Sequence, residues 1–368
     1  MKVLVTGSNG FIGKNFIVRL IELEGYKPIA FNRTHSLEDL SAYIDSCDAI
    51  VHLAGVNRPD DIKEFTEVNL DLTALVCEKI AATGRKIPLI MASSIQASIS
   101  NPYGESKRRA EGICAKFSSV TGNPVVIIRL PGVFGKWCRP NYNSVVATFC
   151  HNIANHLPIQ INDRSAQVRL VYVDDVVSAF IRILDNTPPG LTFVEIEPVY
   201  EIALGDLASQ IENFKNCRST LFSEQVGAGL IRALYATYLS YLPPTEFAYD
   251  IPKHEDERGI FVEMLKTKDS GQFSFFTARP GITRGGHYHH TKTEKFLVIK
   301  GEARFGFRNI ISNERYELIT SEDHPRVVES VPGWTHDITN IGKDEMVVML
   351  WANEIFDRLN PDTIASKV

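Results

Sequence analysis

Short continuous apolar runs alternate with helical apolar spacing along the N-terminal part of the chain, and then the rhythm changes. Strand-like runs are predicted at residues 2–6, 28–31, 49–53, 89–92 and 125–129. Apolar positions recur at helical intervals over 11–24, 61–83 and 106–120. Apolar strands alternating with helices predict a parallel, doubly wound sheet covered on both faces. Around 141–189 the alternation loosens, which suits a substrate subdomain. Tyr241-Leu-Pro-Pro-Thr245 reads as a boundary. Beyond it, β-rich runs at 273–277, 296–299, 303–307 and 346–351 alternate with Gly and Pro turns. That pattern predicts a small antiparallel barrel or jelly roll. The expected fold is thus α/β over residues 1–243, followed by an all-β barrel over 244–368.

Composition narrows the partners. A chain of 368 residues exceeds the usual size of one core, which agrees with two domains. Hydrophobic content of 44% and charged content of 23% are those of an ordinary globular protein. The net charge of −5, without any basic run, gives no electrostatic footprint for nucleic acid. The apolar stretch Leu230–Leu242 contains Arg232 and is too short to span a bilayer, so no membrane association is expected. Met1-Lys-Val-Leu-Val5 is strand-like and leaves no room for a signal peptide. Six scattered cysteines (47, 77, 114, 138, 150 and 217) form no CxxC pair and no disulfide framework. A reducing, cytoplasmic setting is expected.

Two segments carry the chemistry of the first part. Gly7, Gly10 and Gly13 lie between a predicted strand and a predicted helix. Missing side chains let the backbone approach a pyrophosphate, and the helix N-terminus offers free N–H groups. An acid at the end of the second strand would bind a ribose 2′-hydroxyl. Phe31-Asn32-Arg33-Thr34 has none there, and Arg33 can pair with a 2′-phosphate, which predicts NADPH. Tyr103 and Lys107 are four residues apart in a helical run and share a face. The lysine can lower the tyrosine pKa, so that the phenol gives a proton to a carbonyl oxygen as hydride arrives. Ser94, at a strand end, can hydrogen-bond the same oxygen.

A different chemistry appears later. Gly281 is followed, after five residues, by His287-Tyr-His289, then by Glu294 and Gly301. Alternate residues on a strand share a face, so the two imidazoles and the carboxylate can converge on a divalent metal. Pro332-Gly333-Trp-Thr-His336 can supply a fourth ligand.

Residues 1 to about 240 resemble the extended short-chain dehydrogenases/reductases. The motifs are Thr6-Gly-Ser-Asn-Gly-Phe-Ile-Gly13, His52-Leu-Ala-Gly55, Ser93-Ser94, Tyr103-x3-Lys107, Arg129-Leu-Pro-Gly-Val-Phe-Gly135 and Tyr172-Val-Asp-Asp-Val176. The resemblance implies a Rossmann sheet, a UDP- or TDP-sugar substrate, and Ser94, Tyr103 and Lys107 as catalytic residues. It implies cofactor contacts at Gly7, Asn9, Gly10, Phe11, Ile12, Gly13 and Leu53 beside Arg33, and a nucleotide-phosphate contact at Arg169. Three departures matter. The gap from Ser94 to Tyr103 is short, and Arg33 replaces the acid of NAD-using members. Ile95-Gln96 stands where a dehydratase would carry an acid pair, which points to simple reduction.

The second part resembles the cupins, through Gly281, His287, His289, Glu294 and Gly301 and through Gly333-x2-His336-x3-Asn340. The ligands implied are His287, His289, Glu294 and His336; His290 would face the other side of a regular strand. Zinc is expected, while iron, manganese, nickel and copper remain chemically admissible. Asp256-Glu-Arg258-Gly259-Ile-Phe261-Val-Glu263 and Arg284-Gly-Gly-His287 resemble elements of cupin-type 4-keto-sugar 3,5-epimerases. That likeness makes His287 a catalytic base as well as a ligand, two roles that compete for one lone pair, and Arg284 a substrate contact. Tyr288 and Tyr316 are weak choices for a partner acid.

The two-domain order resembles bifunctional enzymes of capsular polysaccharide synthesis. This implies C3 epimerisation of a UDP-activated 4-keto-6-deoxy amino sugar, then C4 reduction with NADPH. The product implied is UDP-2-acetamido-2,6-dideoxy-L-talose, made by a homodimer. Two alternatives stay open. One is a monofunctional NADPH-dependent ketoreductase whose barrel is a metal-stabilised dimerisation module. The other is a metal-dependent dioxygenase, opposed by the Arg258-Gly259 and Arg284 elements.

Overall fold

The computed structural model describes residues 1–59, 61–256, 259–262, 264–265, 271–354 and 359–368. By internal packing the chain forms two compact units, Met1–Ser144 with Val168–Glu201, and Val145–Gln167 with Ile202–Val368.

The first unit follows the predicted alternation. Its elements begin β1 (Lys2–Thr6), α1 (Phe11–Glu22), β2 (Lys27–Phe31), α2 (Leu37–Ser46) and β3 (Ala49–His52). They continue with α3 (Leu72–Ala82), β4 (Leu89–Ser94), α4 (Pro102–Thr121), β5 (Val125–Leu130) and β6 (Gly132–Phe134). After α5 (Val145–Ala154), which belongs to the second unit, come β7 (Gln167–Tyr172), α6 (Val173–Asp185), β8 (Leu191–Val194) and β9 (Tyr200–Ala203). Six strands form a parallel sheet in the order β2-β1-β3-β4-β5-β8. Strands β6, β7 and β9 form a small second sheet.

Burial on both faces explains the uninterrupted apolar strands. Val3, Val5, Val126 and Ile128 pack with Phe16 of α1 and Phe180 of α6. Their neighbours Leu4, Val125 and Ile127 pack on the other face with Leu40 of α2, Val76 of α3 and Cys114 of α4. Two boundaries differ from the pattern. The predicted helix over 61–83 is a π-helical segment, Phe65–Asp71, running into α3. Helix α4 starts at Pro102, before the apolar spacing does, because Asn101 accepts the Gly104 N–H at 2.7 Å and proline suits the first turn.

The second unit holds α5, α7 (Leu204–Thr220) and α8 (Gly229–Leu239), with Phe214 packed on Tyr235 and Tyr238. Strands β10 (Ala248–Asp250), β11 (Lys253–Asp256), β12 (Gly259–Val262) and β13 (Gln272–Ala278) follow. Next come β14 (Thr283–Tyr288), β15 (Glu294–Lys300), β16 (Glu302–Asn309) and β17 (Arg315–Ser321). The last are β18 (Arg326–Glu329), β19 (Trp334–Asn340), β20 (Met346–Ala352) and β21 (Ile364–Ala365).

Two antiparallel five-stranded sheets result, β10-β18-β15-β20-β13 and β17-β16-β19-β14-β21, beside the β11–β12 hairpin. Their inner faces meet where Phe296 of β15 packs on Phe305 of β16 and on His336 of β19. Buried charges on β15 and β18 are paired: Glu329 accepts from both Lys295 and Arg218 of α7, and Lys295 also donates to the Tyr249 hydroxyl at 3.1 Å. Among the described residues, no helix is long and apolar enough to cross a membrane.

Candidate active site and metal centre

The turn between β1 and α1 is built so that only glycine fits. Gly7 has φ +67°, and a Cβ there would lie 2.7 Å from the Ala54 nitrogen. A Cβ on Gly13 would lie 2.3 Å from the Gly7 carbonyl oxygen. Gly10 stands at the N-cap of α1 without a side-chain hydrogen bond, so the first-turn N–H groups face outward for an anion. Asn9 is exposed, Phe11, Ile12 and Leu53 are half-buried, and Arg33 is exposed just past β2. These residues fit a dinucleotide: a tight backbone cradle and a free helix terminus.

At the far ends of β4 and β3 the reactive side chains gather. Ser94 ends β4, and Tyr103 and Lys107 share a face of α4. Gly104 is required beside Tyr103, since a Cβ there would lie 2.1 Å from the Gln96 carbonyl oxygen. Burial holds the Tyr103 phenol above the usual tyrosine range, and a hydrogen bond with Ser94 opposes this in part. The spacing predicts a phenol acidified by Lys107; instead burial sets the direction of the shift, and it is upward. The phenol therefore stays protonated, the form that can give a proton. Burial pushes Lys107 down to about 8, opposed by Glu111 one turn on.

Three sets of buried hydrogen bonds brace this face. His52 bridges Thr6 at 2.7 Å and Thr73 at 2.9 Å, and burial pushes its pKa down to about 3, so it is neutral. Asn69 donates to the Ser106 hydroxyl at 2.9 Å and to the Val56 carbonyl at 3.0 Å. Glu111 accepts from Arg129 at 3.0 and 2.7 Å and from Ser93 at 2.5 Å. Asn69 has no sequence signal. Glu111 has a partial one, its i+4 spacing from Lys107.

In the second unit, His287, His289, Glu294 and His336 offer ligand atoms all within 4.8 Å of one another. His287 and His336 are cross-strand partners on β14 and β19. A bulge aims them: the register shifts between Gly285 and His287, with Gly285 at φ +94° and Gly286 at φ +77°. His289 lies one residue past β14, so the convergence owes as much to this bulge as to strand alternation. Three of the four are buried and His287 is half-buried. His290 is outside the cluster, its ring against Tyr288.

The donor set fits a metal ion. His289 Nδ1 donates to the Asp362 carbonyl, which can only accept, so Nε2 turns its lone pair toward the cluster. That Nε2 is 3.0 Å from a Glu294 carboxylate oxygen, a pair of acceptors that needs a shared proton or cation. Burial pushes His287 down to about 3, with His336 and His289 adding to it, so its imidazole is neutral. Burial would raise Glu294, but the neighbouring His289 and His336 hold it well below the carboxylate range. Three imidazoles and one carboxylate suit zinc and related divalent ions.

The expected substrate contacts are placed on the surface. Arg169 pairs with Glu201 at 3.1 Å and is exposed. Arg284 is exposed, donates to the Thr277 carbonyl at 3.2 Å and lies over the Phe276 ring. Tyr316 packs against Phe247 and Phe307. Of the epimerase-like segment, Glu257, Arg258 and Glu263 lie outside the described residues.

Comparison with known proteins adds a family. The model of the NAD dependent epimerase/dehydratase family matches residues 3–194. The chain belongs to that family. Membership brings a nicotinamide cofactor, which the glycine cradle and the Ser94, Tyr103 and Lys107 cluster fit. A second family model, the polysaccharide biosynthesis C-terminal domain, matches residues 254–364. A UDP-2-acetamido-2,6-beta-L-arabino-hexul-4-ose reductase of Pseudomonas aeruginosa is 57% identical over all 368 residues and 99% of its own length. Among solved structures, the capsular polysaccharide assembling protein CapF from Staphylococcus aureus covers both chains completely at 39% identity, with a TM-score of 0.68. A UDP-glucuronic acid 4-epimerase from Bacillus cereus covers 59% of this chain and 84% of its own at 19% identity, TM-score 0.54, a likeness of fold.

Proposed function

We propose that the chain is a bifunctional sugar-nucleotide enzyme that inverts C3 of a UDP-4-keto-6-deoxy-hexosamine and then reduces its C4 ketone with NADPH. The observation that carries this reading is the full-length likeness, at 57% identity, to a named UDP-hexulose reductase. Residues 1–243 would reduce and residues 244–368 would epimerise, a division supported by family matches ending at 194 and beginning at 254.

Both steps use one carbonyl. A 4-ketone acidifies the C3 proton because the carbanion left behind is an enolate. Removing that proton and returning one to the opposite face inverts C3. We assign this to the His287, His289, Glu294 and His336 centre, where a divalent ion, zinc by its donor set, would supply positive charge. His287 meets the substrate, being the ligand left half-buried. In the second step bound NADPH supplies hydride to C4 and leaves as NADP⁺. Tyr103 gives its phenolic proton to the ketone oxygen, which becomes the C4 hydroxyl. Ser94 donates a hydrogen bond to the same oxygen. Lys107 keeps a positive charge beside the phenol. Arg33 supports NADPH over NADH, and Arg169 and Arg284 are offered as contacts to the substrate.

The product of this sequence is UDP-2-acetamido-2,6-dideoxy-L-talose for capsular polysaccharide. No disulfide joins any of the six cysteines, which supports a cytoplasmic setting, and a homodimer is part of the reading. The name of the Pseudomonas relative gives only the reductase step, which favours a second reading: a monofunctional ketoreductase with a metal-stabilised second part. Incubating the protein with a UDP-4-keto-6-deoxy-hexosamine and NADPH tests both. An L-talo product by NMR supports the bifunctional reading. NADPH oxidation without C3 inversion supports the other. No oxidation overturns both.

A further inference from the structure

The four metal-centre residues lie on β14, β15, β19 and the loop His289–Thr293, and that loop is held by a distant segment. Asp362 reaches it with both its groups. Its main-chain carbonyl accepts from His289 Nδ1. Its carboxylate collects three successive main-chain N–H groups: His290 at 2.9 Å, Thr291 at 2.6 Å and Lys292 at 2.7 Å. The Thr291 hydroxyl adds a fourth bond at 3.1 Å. A row of N–H groups turned toward one point is an anion-binding nest, and here the anion is the chain's own side chain.

The segment after Asp362 continues along the site. Strand β21 pairs with β14 so that Ala365 stands opposite His287 and Ile364 opposite Tyr288. Ser366 N–H donates to the Gly286 carbonyl at 2.8 Å, in the bulge that aims His287. The Ser366 carbonyl accepts from Thr335, next to His336, at 2.6 Å. One short segment therefore touches the neighbourhood of His287, His289 and His336, and fixes the loop that leads to Glu294.

We infer that residues 362–366 form a strap that assembles the metal centre, with Asp362 as the positioning residue. Its carbonyl selects the His289 tautomer whose Nε2 faces the ion, and its carboxylate sets the loop spacing between His289 and Glu294. Asp362 is not one of the four clustered ligand residues and acts through His289 and the loop. The inference rests on the metal-centre reading above. Partners of this kind commonly contribute about 10- to 100-fold to metal affinity.

The test uses the full chain, stripped by a chelator and titrated with zinc against a chromophoric competitor. Asp362→Asn keeps the shape but presents an amide N–H to the N–H row. It should bind zinc about 10- to 100-fold more weakly, with NADPH affinity unchanged. Unchanged zinc affinity overturns the inference. A second arm needs no variant. Coupling is reciprocal, so zinc added to the wild type should slow amide exchange at 290–292 and at Ser366. Exchange there that ignores zinc overturns the strap even if the variant fails to fold. A wild type that takes up no zinc overturns the metal reading itself, a result separate from either of these.

Discussion

The Lys107 ammonium donates to the Ala92 carbonyl at 3.1 Å, two residues before Ser94 on the same strand. The opposite wall is equally close: a Cβ on Gly55 would lie 3.1 Å from the same nitrogen. The lysine is thus fixed one helical turn from Tyr103, and burial limits the pH range over which it keeps its charge. Its pKa, pushed down to about 8, leaves it cationic below that pH and neutral above. Initial rates of NADPH oxidation should hold up to about pH 8 and then fall by up to about tenfold per unit. Lys107→Met should lower the rate throughout and erase the break. A wild-type profile flat to pH 10 would count against this role.

Tyr103→Phe removes the proton donor and leaves the fold, since the ring contact with Phe65 remains possible. Ketone reduction should drop by about 10²- to 10⁴-fold. Proton exchange at C3 of the substrate should be unaffected, because that step belongs to other residues. Equal loss of both activities would show that the division of labour is wrong.

Arg33 is exposed just past β2, and no carboxylate stands nearby in Phe31–Thr34. Removing a charged hydrogen bond to a phosphate costs about 1.5–3 kcal/mol, or roughly tenfold and more in affinity. Arg33→Ala should weaken NADPH binding by about that factor and leave NADH binding alone, read by fluorescence titration. Parallel losses for both cofactors would remove the 2′-phosphate argument.

His52 makes stability depend on pH. Its folded pKa is about 3, depressed by burial below the ordinary 6.5. An unfolded chain therefore binds a proton that the folded one refuses. The stabilisation is complete above pH 6.5 and is lost as pH falls from 6.5 toward 3. The slope for this group is about 1.4 kcal/mol per unit. Denaturant midpoints for wild type and His52→Gln should converge as pH drops through that window. A constant gap would mean that His52 is not buried neutral.

The first unit was the more legible one, because a parallel sheet covered on both faces writes itself as plain apolar runs. Val3–Val5 and Val125–Ile128 feed two cores by turns, and no other arrangement hides such runs so fully. The start of α4 was misplaced because Asn101 and Pro102 set it by capping rather than by apolar spacing. The His287, His289, Glu294 and His336 cluster was legible from its spacing, but the Gly285–Gly286 bulge that aims His287 exists only once β14 pairs with β19. Asp362 could not be found from local pattern, since it is 72 residues from the His290 N–H it accepts. Glu111 and Asn69 act through buried networks whose partners come from other elements. Polar residues of that kind look like surface positions until the fold brings their partners to them.

The most direct measurement is solvent-deuterium incorporation into a UDP-4-keto-6-deoxy-hexosamine, followed by NMR with NADPH left out. Wild type and Tyr103→Phe should both place deuterium at C3, while His287→Ala should not. A wild type that oxidises NADPH on the same substrate yet leaves its C3 hydrogen unexchanged would contradict the two-step scheme.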